Sequence, residues 1–198
     1  MAPSRRKLYA AIDIGTTKVA TLVADATSGS LQVSAIGHSR SNGMRKGLVV
    51  SPDVLAAAIS SSVREAEAML GERLPPAHIG VTGGHLTCLN AATAITRSPK
   101  AMATCFTQSE IDSLLMSTTP ATAGDKHVVQ VVPRSFSVDG LDGVHDPVGM
   151  RGDRISTESH IVIGDPGPMA TLVRTVRSTG VTVKGVVLEH LASAEAVL

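Results

Sequence analysis

Two apolar runs, Leu8-Tyr9-Ala10-Ala11-Ile12 and Val19-Ala20-Thr21-Leu22-Val23, enclose the stretch Asp13-Ile14-Gly15-Thr16-Thr17-Lys18. Each run is long enough for a buried strand, so the chain must reverse within a few residues. Such a reversal needs only a residue that accepts positive φ, and Gly15 meets that need. It does not need an acid, two hydroxyls and a lysine as well. Backbone N–H groups exposed by a glycine-containing turn make a concavity that suits phosphate oxygens. Thr16 and Thr17 can donate further hydrogen bonds, and Lys18 can add a point charge. Asp13 can hold a hydrated Mg²⁺, which takes oxygen ligands and keeps several waters. The plainer reading is a polar hairpin turn whose aspartate caps local amides. These residues alone leave both readings open.

Composition narrows the class. Of 198 residues, 43% are hydrophobic and 18% charged, which makes a globular chain of one large or two small domains. Aromatics are 2% with no Trp, so the core must come from Ala, Val, Ile, Leu and Met. A net charge of +1 gives no argument for nucleic acid or an acidic substrate. Cys88 and Cys105 are too few for a disulfide framework and read as free thiols of a reducing cytoplasm. The basic start, Met1 to Lys7, precedes an apolar run broken at Asp13, too short for a signal-peptide core. No stretch approaches the roughly 20 apolar residues of a membrane span. The sequence therefore reads as a soluble chain with no membrane contact of its own.

Strands are expected at about 7–14, 18–26 and 31–40. Gly43-Met44-Arg45-Lys46-Gly47 then forms a glycine-bracketed basic segment, read as a solvated loop, before Leu48-Val49-Val50. Ser51-Pro52 opens a helix with Leu55, Ile59, Val63, Ala66 and Leu70 on one face, ended by Gly71. A strand at His78–Thr82 leads to Gly83-Gly84. Residues 86–97 read as extended, with Ser98-Pro99 as a break. Thr107-Gln108-Ser109-Glu110 is a capping box, with Phe106 and Ile111 placed as a hydrophobic staple. The helix that follows stops at Thr118-Thr119-Pro120. Runs at 127–132 and 134–138 surround Pro133, so that ribbon should be bent or at an edge. Asp139 to Gly143 and Asp146-Pro147 are loop signals, and 155–163 is a strand. A helix from Asp165-Pro166, ended by Gly180, a strand at 181–188 and a helix at 192–198 close the chain. That last helix has no cap, so the natural protein is expected to continue.

The order is βββαβ, an insert, then αβα. This predicts an α/β fold: a ribonuclease-H-like, actin-like half-domain carrying an inserted small α+β subdomain of strand-helix-strand-strand type. That topology puts the first β-turn at the mouth of the sheet.

Several motifs carry a resemblance. Ala11-Ile-Asp-Ile-Gly-Thr-Thr-Lys18 resembles the first phosphate motif of the actin and heat-shock chaperone ATPase superfamily. Gly43 to Gly47, Gly83-Gly84-His85, Asp146-Pro147-Val148-Gly149-Met150 and Leu188 to Leu198 follow in order. Together they resemble the family of the bacterial cell-division protein FtsA, over about residues 7–198. The resemblance implies the N-terminal portion of such a protein. Residues 1–85 and 163–198 would form the first actin-like subdomain, and 86–162 an inserted interaction subdomain. It further implies ATP with Mg²⁺ held at Asp13 through water, and phosphate contacts at Gly15, Thr16, Thr17 and Lys18. It implies self-association, contact with FtsZ and other divisome proteins, and a place at the cytoplasmic face of the septal membrane. In the family the second phosphate motif, the adenosine motif, the FtsZ-binding surface and the membrane helix follow later. With one face of the nucleotide site, this chain is expected to bind Mg-ATP weakly and to hydrolyse it negligibly.

Other candidates are weaker. The seven His residues show no metal-ligand spacing and read as structural. Arg151-Gly152-Asp153 is a chance tripeptide. No catalytic base is visible. An interaction-only chain with a vestigial turn is one alternative, and a sugar-kinase-like enzyme of the same superfamily is another. The latter lacks a sugar-binding acid here.

Overall fold

The computed structural model describes residues 6–98, 104–118 and 125–197. The basic residues before Arg6, Pro99, and the alanine-rich stretch from 119 to 124 lie outside the described residues. The chain forms two compact units, one made of Met1–Leu86 with Asp165–Leu198, the other of Thr87–Gly164.

The first unit is built on a five-stranded sheet. Its elements are β1 (Leu8–Ile14), β2 (Lys18–Asp25), β3 (Gln32–Arg40), β4 (Met44–Arg45), β5 (Leu48–Val49), α1 (Pro52–Leu70) and β6 (Ala77–Val81). After the second unit come α3 (Pro166–Ser178), β11 (Val183–Leu188) and α4 (Glu189–Val197). Strand order is β11-β6-β1-β2-β3. β1, β6 and β11 run parallel, and β1-β2-β3 are joined antiparallel. This is the ribonuclease-H-like half-domain, with its three parallel strands ending on one edge.

Strict alternation sets the faces of that sheet. Ala10, Ile12 and Ile14 are buried while Tyr9, Ala11 and Asp13 are exposed. On the buried face α1 seats Leu55, Ile59, Val63 and Ala66, all nearly inaccessible. Burying each large aliphatic contributes roughly 1.5–3 kcal/mol. α1 lies very close to β3: a β-carbon on Gly37 would stand 2.0 Å from the Ser62 carbonyl oxygen. Ser62 Oγ lies 2.6 Å from Thr21 Oγ1 and donates to the Gly37 carbonyl at 3.1 Å, which satisfies the polar groups this approach buries. Gly71 ends α1 at φ 79°. Ser51 occupies the N-cap position, but its hydroxyl makes no cap bond; the entry is set by Pro52 and by the Ser51 carbonyl accepting from Leu55 N–H. The segment read as a loop at 43–50 is a small hairpin, β4 paired with β5. Lys46 and Gly47 form its two-residue turn with φ of 51° and 78°, the mirror-image turn that matches strand twist.

The second unit contains β7 (Leu86–Thr96), α2 (Gln108–Ser117), β8 (His127–Val138), β9 (Leu141–Val144) and β10 (Arg154–Gly164). Sheet order is β7-β10-β8-β9. The unit is thus strand-helix-strand-strand with one addition: the turn signals around Gly140 belong to a hairpin whose return arm is the short β9. The runs around Pro133 are one strand, which slips register against β10 at Glu158/Ser159. Pro133 is accommodated by that bulge. α2 begins with the Thr107/Glu110 capping box. Phe106 and Ile111 join Leu114, Phe136, Val138 and Ile155 in one buried cluster. The Asp146-Pro147-Val148-Gly149-Met150 loop docks by backbone pairing: Phe106 N–H donates to Met150 O and Gly149 N–H to Phe106 O, at 2.8 and 2.9 Å. Arg151-Gly152-Asp153 is also structural, because Asp153 N–H and Arg154 N–H donate to the Asp139 carboxylate.

No helix among the described residues is long and apolar enough to cross a membrane.

Candidate functional site

Parallel open sheets place ligands outside the carboxyl ends of their strands. In the first unit that edge gathers the β1–β2 turn, Thr82-Gly83-Gly84 after β6, and Glu189 at the start of α4. The turn between Ile14 and Lys18 leaves Thr16 and Thr17 exposed. Gly15 does not adopt positive φ, so the expected conformational reason for a glycine there is wrong. Its backbone N–H donates to the Lys18 carbonyl at 3.0 Å, and a β-carbon would come within 3.2 Å of that same oxygen. The tight closure needs a small residue, and it occupies the Gly15 amide. The amides of Thr16 and Thr17 are the ones left to face a ligand, while the Thr17 carbonyl accepts from Ser41 N–H.

Asp13 and Lys18 stand on the same exposed face of the sheet. Asp13 pairs with Ala20, two residues along β2 from Lys18, and Lys18 pairs with Arg40 of β3. Two cations placed directly opposite on neighbouring strands repel each other unless an anion joins them. Asp13 caps none of the turn amides, so the plain reading of it as a local cap fails.

Glu189 is the residue that sequence reasoning misses. Its side chain folds back over Gly80, where an added β-carbon would lie 3.0 Å from Glu189 Cγ. Burial, then the Asp13 carboxylate and a hydrogen bond to it, hold the Glu189 carboxyl above the ordinary glutamate range, and His190 partly opposes them. Its Oε1 is buried without a hydrogen-bond partner among the described residues. A glycine inside the strand-like run His78–Thr82 is the available signal, since strand glycines mark a close approach.

The hairpin carrying Arg45 and Lys46 is locked against the same edge. A β-carbon on Gly47 would stand 2.1 Å from the Thr82 carbonyl oxygen. The glycines of that segment therefore serve backbone packing, and the Arg45 and Lys46 side chains remain exposed. His85, just beyond, is buried, and its Nδ1 has no partner among the described residues. Burial lowers its basicity and Asp165 partly restores it. Among the described residues no group of three or more His, Cys, Asp or Glu is arranged to hold a metal directly.

Residues 83–163 match the family model described as the SHS2 domain inserted in FTSA. The chain is 31% identical over 193 residues to the cell division protein FtsA of Pseudomonas aeruginosa, covering 97% of this chain and 46% of that protein. It is 29% identical over 198 residues to FtsA of Streptococcus pneumoniae, covering 98% and 42%. A solved structure of the PilM-PilN type IV pilus biogenesis complex superposes with a TM-score of 0.56 at 12% identity, over 94% of this chain and 49% of the other. That likeness speaks to fold alone. The class is an actin-like half-domain bearing an SHS2 insert. Within that class the chain is similar in sequence to FtsA proteins along nearly its whole length, and it spans less than half the length of the curated relatives named here.

Proposed function

We propose that the chain serves an FtsA-type cell-division scaffold, supplying one phosphate-binding face of an ATP site and a protein-interaction insert. The observation that carries the reading is the meeting of Thr16, Thr17 and Lys18 with Asp13 and Glu189 at the carboxyl edge of the parallel strands. Free amides, hydroxyls and a Lys18/Arg40 pair favour phosphate. Beside them stand two carboxylates, one with a buried unpartnered oxygen, and such a donor set fits a hydrated Mg²⁺. Asp13 and Glu189 would hold its water shell, and the ion would neutralise phosphate charge. The start of α4 adds a helix N-terminus to the same edge. In this reading Gly15 closes the turn, Asp13 binds Mg²⁺ through water, and Thr16, Thr17 and Lys18 contact phosphate. The insert mediates self-association and meets divisome partners, and the scaffold links FtsZ to the membrane at the septum.

An interaction-only chain is the second reading, favoured by one fact: the Gly15 amide is spent on Lys18 O and offers nothing to a ligand. Titration with Mg-ATP, followed by amide resonances, separates the two. Weak binding should shift Thr16, Thr17, Lys18 and Gly84 selectively, and Asp13→Ala or Lys18→Ala should each weaken it about tenfold or more. Absence of selective shifts at millimolar nucleotide, or mutants that bind as wild type, leaves the interaction-only reading.

A further inference from the structure

β7 is the edge of the second unit's sheet among the described residues, and its own residues supply none of the devices that blunt an edge. Its eleven residues, Leu86-Thr-Cys-Leu-Asn-Ala-Ala-Thr-Ala-Ile-Thr96, include no charge, no proline and no glycine. Native edges are short, charged, bulged or covered, because an unpaired strand is a template for another chain. The other sheet edges obey this rule. β9 is four residues long and contains Asp142. β11 is six residues long and carries Lys184. Along β3, outward amides are capped from α1: His38 N–H donates to Glu65 Oε2 at 2.8 Å and Ile36 N–H to Met69 Sδ at 3.4 Å.

The sequence of β7 is complementary to itself when reversed. Pairing it antiparallel with a second copy, centred on Ala92, sets Leu89 opposite Ile95, Ala91 opposite Thr93, Asn90 opposite Ala94 and Cys88 opposite Thr96. Leu89 and Ile95 are half-buried members of the unit's two apolar clusters, so this register joins those clusters across the new pair. The opposite face, Cys88, Asn90, Ala92, Ala94 and Thr96, is exposed and small throughout, and Asn90 Oδ1 is held at 2.9 Å by His160 Nδ1 within the unit. The ladder geometry agrees. Arg97 N–H points inward, donating to Asp153 O at 2.8 Å. The two-residue alternation of an antiparallel ladder then turns the amides of even-numbered residues outward. Ala92, Asn90/Ala94 and Cys88/Thr96 become hydrogen-bonded pairs in this register.

We infer that β7 is the surface through which two copies of this chain associate, by strand addition across a two-fold axis at Ala92 that fuses two four-stranded sheets into one of eight. This rests on the proposal that the insert self-associates, and it names the surface. No residue of the strand itself is charged, and the Lys126 ammonium that donates to Thr87 Oγ1 at 3.3 Å sits at one end, five positions from the axis, so like charges do not face each other at the centre of the pair.

Sedimentation of the whole chain over a concentration series, with charge variants at the axis, tests this. Ala92 is exposed, so Ala92→Lys and Ala92→Glu leave the fold intact and place like charges opposite each other across the axis. Each variant alone should dimerise at least about tenfold more weakly than wild type, and an equimolar mixture should recover the dimer. In a Cys105→Ala background, Thr96→Cys should give an oxidised dimer, joined between Cys88 of one chain and the introduced thiol at position 96 of the other. Within one strand those two positions are too far apart to bond, at roughly 3.3 Å per residue. A chain that stays monomeric overturns this inference together with insert self-association. A dimer indifferent to Ala92→Lys and Ala92→Glu overturns this surface while leaving self-association elsewhere. Loss in both variants without recovery on mixing also overturns it.

Discussion

Glu189 lies directly over Gly80. A β-carbon on that glycine would stand 3.0 Å from the glutamate's Cγ and 3.4 Å from its Oε1. Two parallel strands thereby combine at one point: β6 leaves a gap, and the residue after β11 fills it, facing Asp13 at the end of β1.

Gly80→Ala closes that gap. The atoms met first belong to a flexible side chain, so Glu189 gives way rather than the backbone. Thermal unfolding should change by no more than about 1 kcal/mol of stability. Any Mg-ATP binding at this edge should weaken several-fold, because the second carboxylate leaves Asp13. Nucleotide affinity equal to wild type in a well-folded Gly80→Ala chain would show that Glu189's placement has no part in binding.

The same pair makes stability depend on pH. The folded-state Glu189 carboxyl titrates above its unfolded value because of burial and Asp13. The folded chain therefore binds this proton more tightly than the unfolded chain does. Its contribution is fully present below the unfolded pKa and is lost as pH rises through the folded one. Asp25 and Glu110 are held below the usual carboxylate range by hydrogen bonds from Thr27 and Thr107, and they act in the opposite direction. The comparison that isolates Glu189 is wild type against Glu189→Gln. The variant should gain stability relative to wild type between about pH 4 and pH 7, measured as the urea midpoint. A difference that stays constant over that range would refute the account. Added Mg²⁺ should narrow the difference at neutral pH by favouring the ionised wild-type pair.

Gly37→Ala addresses the join of α1 to the sheet. Here the opposing atoms are the Ser62 carbonyl oxygen at 2.0 Å and Ala66 N at 2.6 Å, both backbone. Neither can move without shifting the helix, which would also part Ser62 from Thr21. The loss should be at least about 2 kcal/mol by denaturant unfolding. A loss below about 0.5 kcal/mol would mean that α1 slides without cost, contrary to the close packing.

Where periodicity is strong, the chain announces its fold. Alternation in β1, β2 and β6, the Leu55-Ile59-Val63-Ala66 face, and the Thr107-to-Glu110 capping box each reflect short-range chemistry, and each element forms as read. Short elements escape such reading. β4, β5 and β9 have two to four residues, too few to carry a period, and their turns hide them among loop signals. α4 starts at Glu189, three residues before its expected start, because Leu188 passes straight from strand to helix. The candidate site is half legible. Asp13, Gly15, Thr16, Thr17 and Lys18 are contiguous and share a turn, so they can be found together. Glu189 meets Asp13 across a separation in sequence that only the parallel order β11-β6-β1 closes. The sequence points to Gly15 for φ freedom, yet what matters there is the space its missing side chain leaves for Lys18 O.

Arg97 tests the interior of the second unit. Its side chain is 4% exposed. Its guanidinium donates to both Glu110 carboxylate oxygens, to Thr104 O at 2.6 Å, to Thr104 Oγ1 and to Cys105 O. It also lies 4.5 Å from the centroid of the Phe106 ring. One side chain thus ties the end of β7, the capping box of α2 and the irregular segment Thr104–Phe106 leading into it. Arg97→Met keeps much of the volume and removes every donor. Glu110 and Thr104 are partly solvated and can recover water, whereas the half-buried Cys105 carbonyl loses the donor that Arg97 supplies. The expected cost is about 2–4 kcal/mol. Arg97→Lys should recover less than half of it, since one ammonium cannot reproduce the planar fork over Phe106. Hydrogen exchange should localise the damage, with faster exchange of the α2 amides and unchanged protection in α1. Uniform acceleration through α1 and α2 alike would show that Arg97 acts on global stability rather than on this junction.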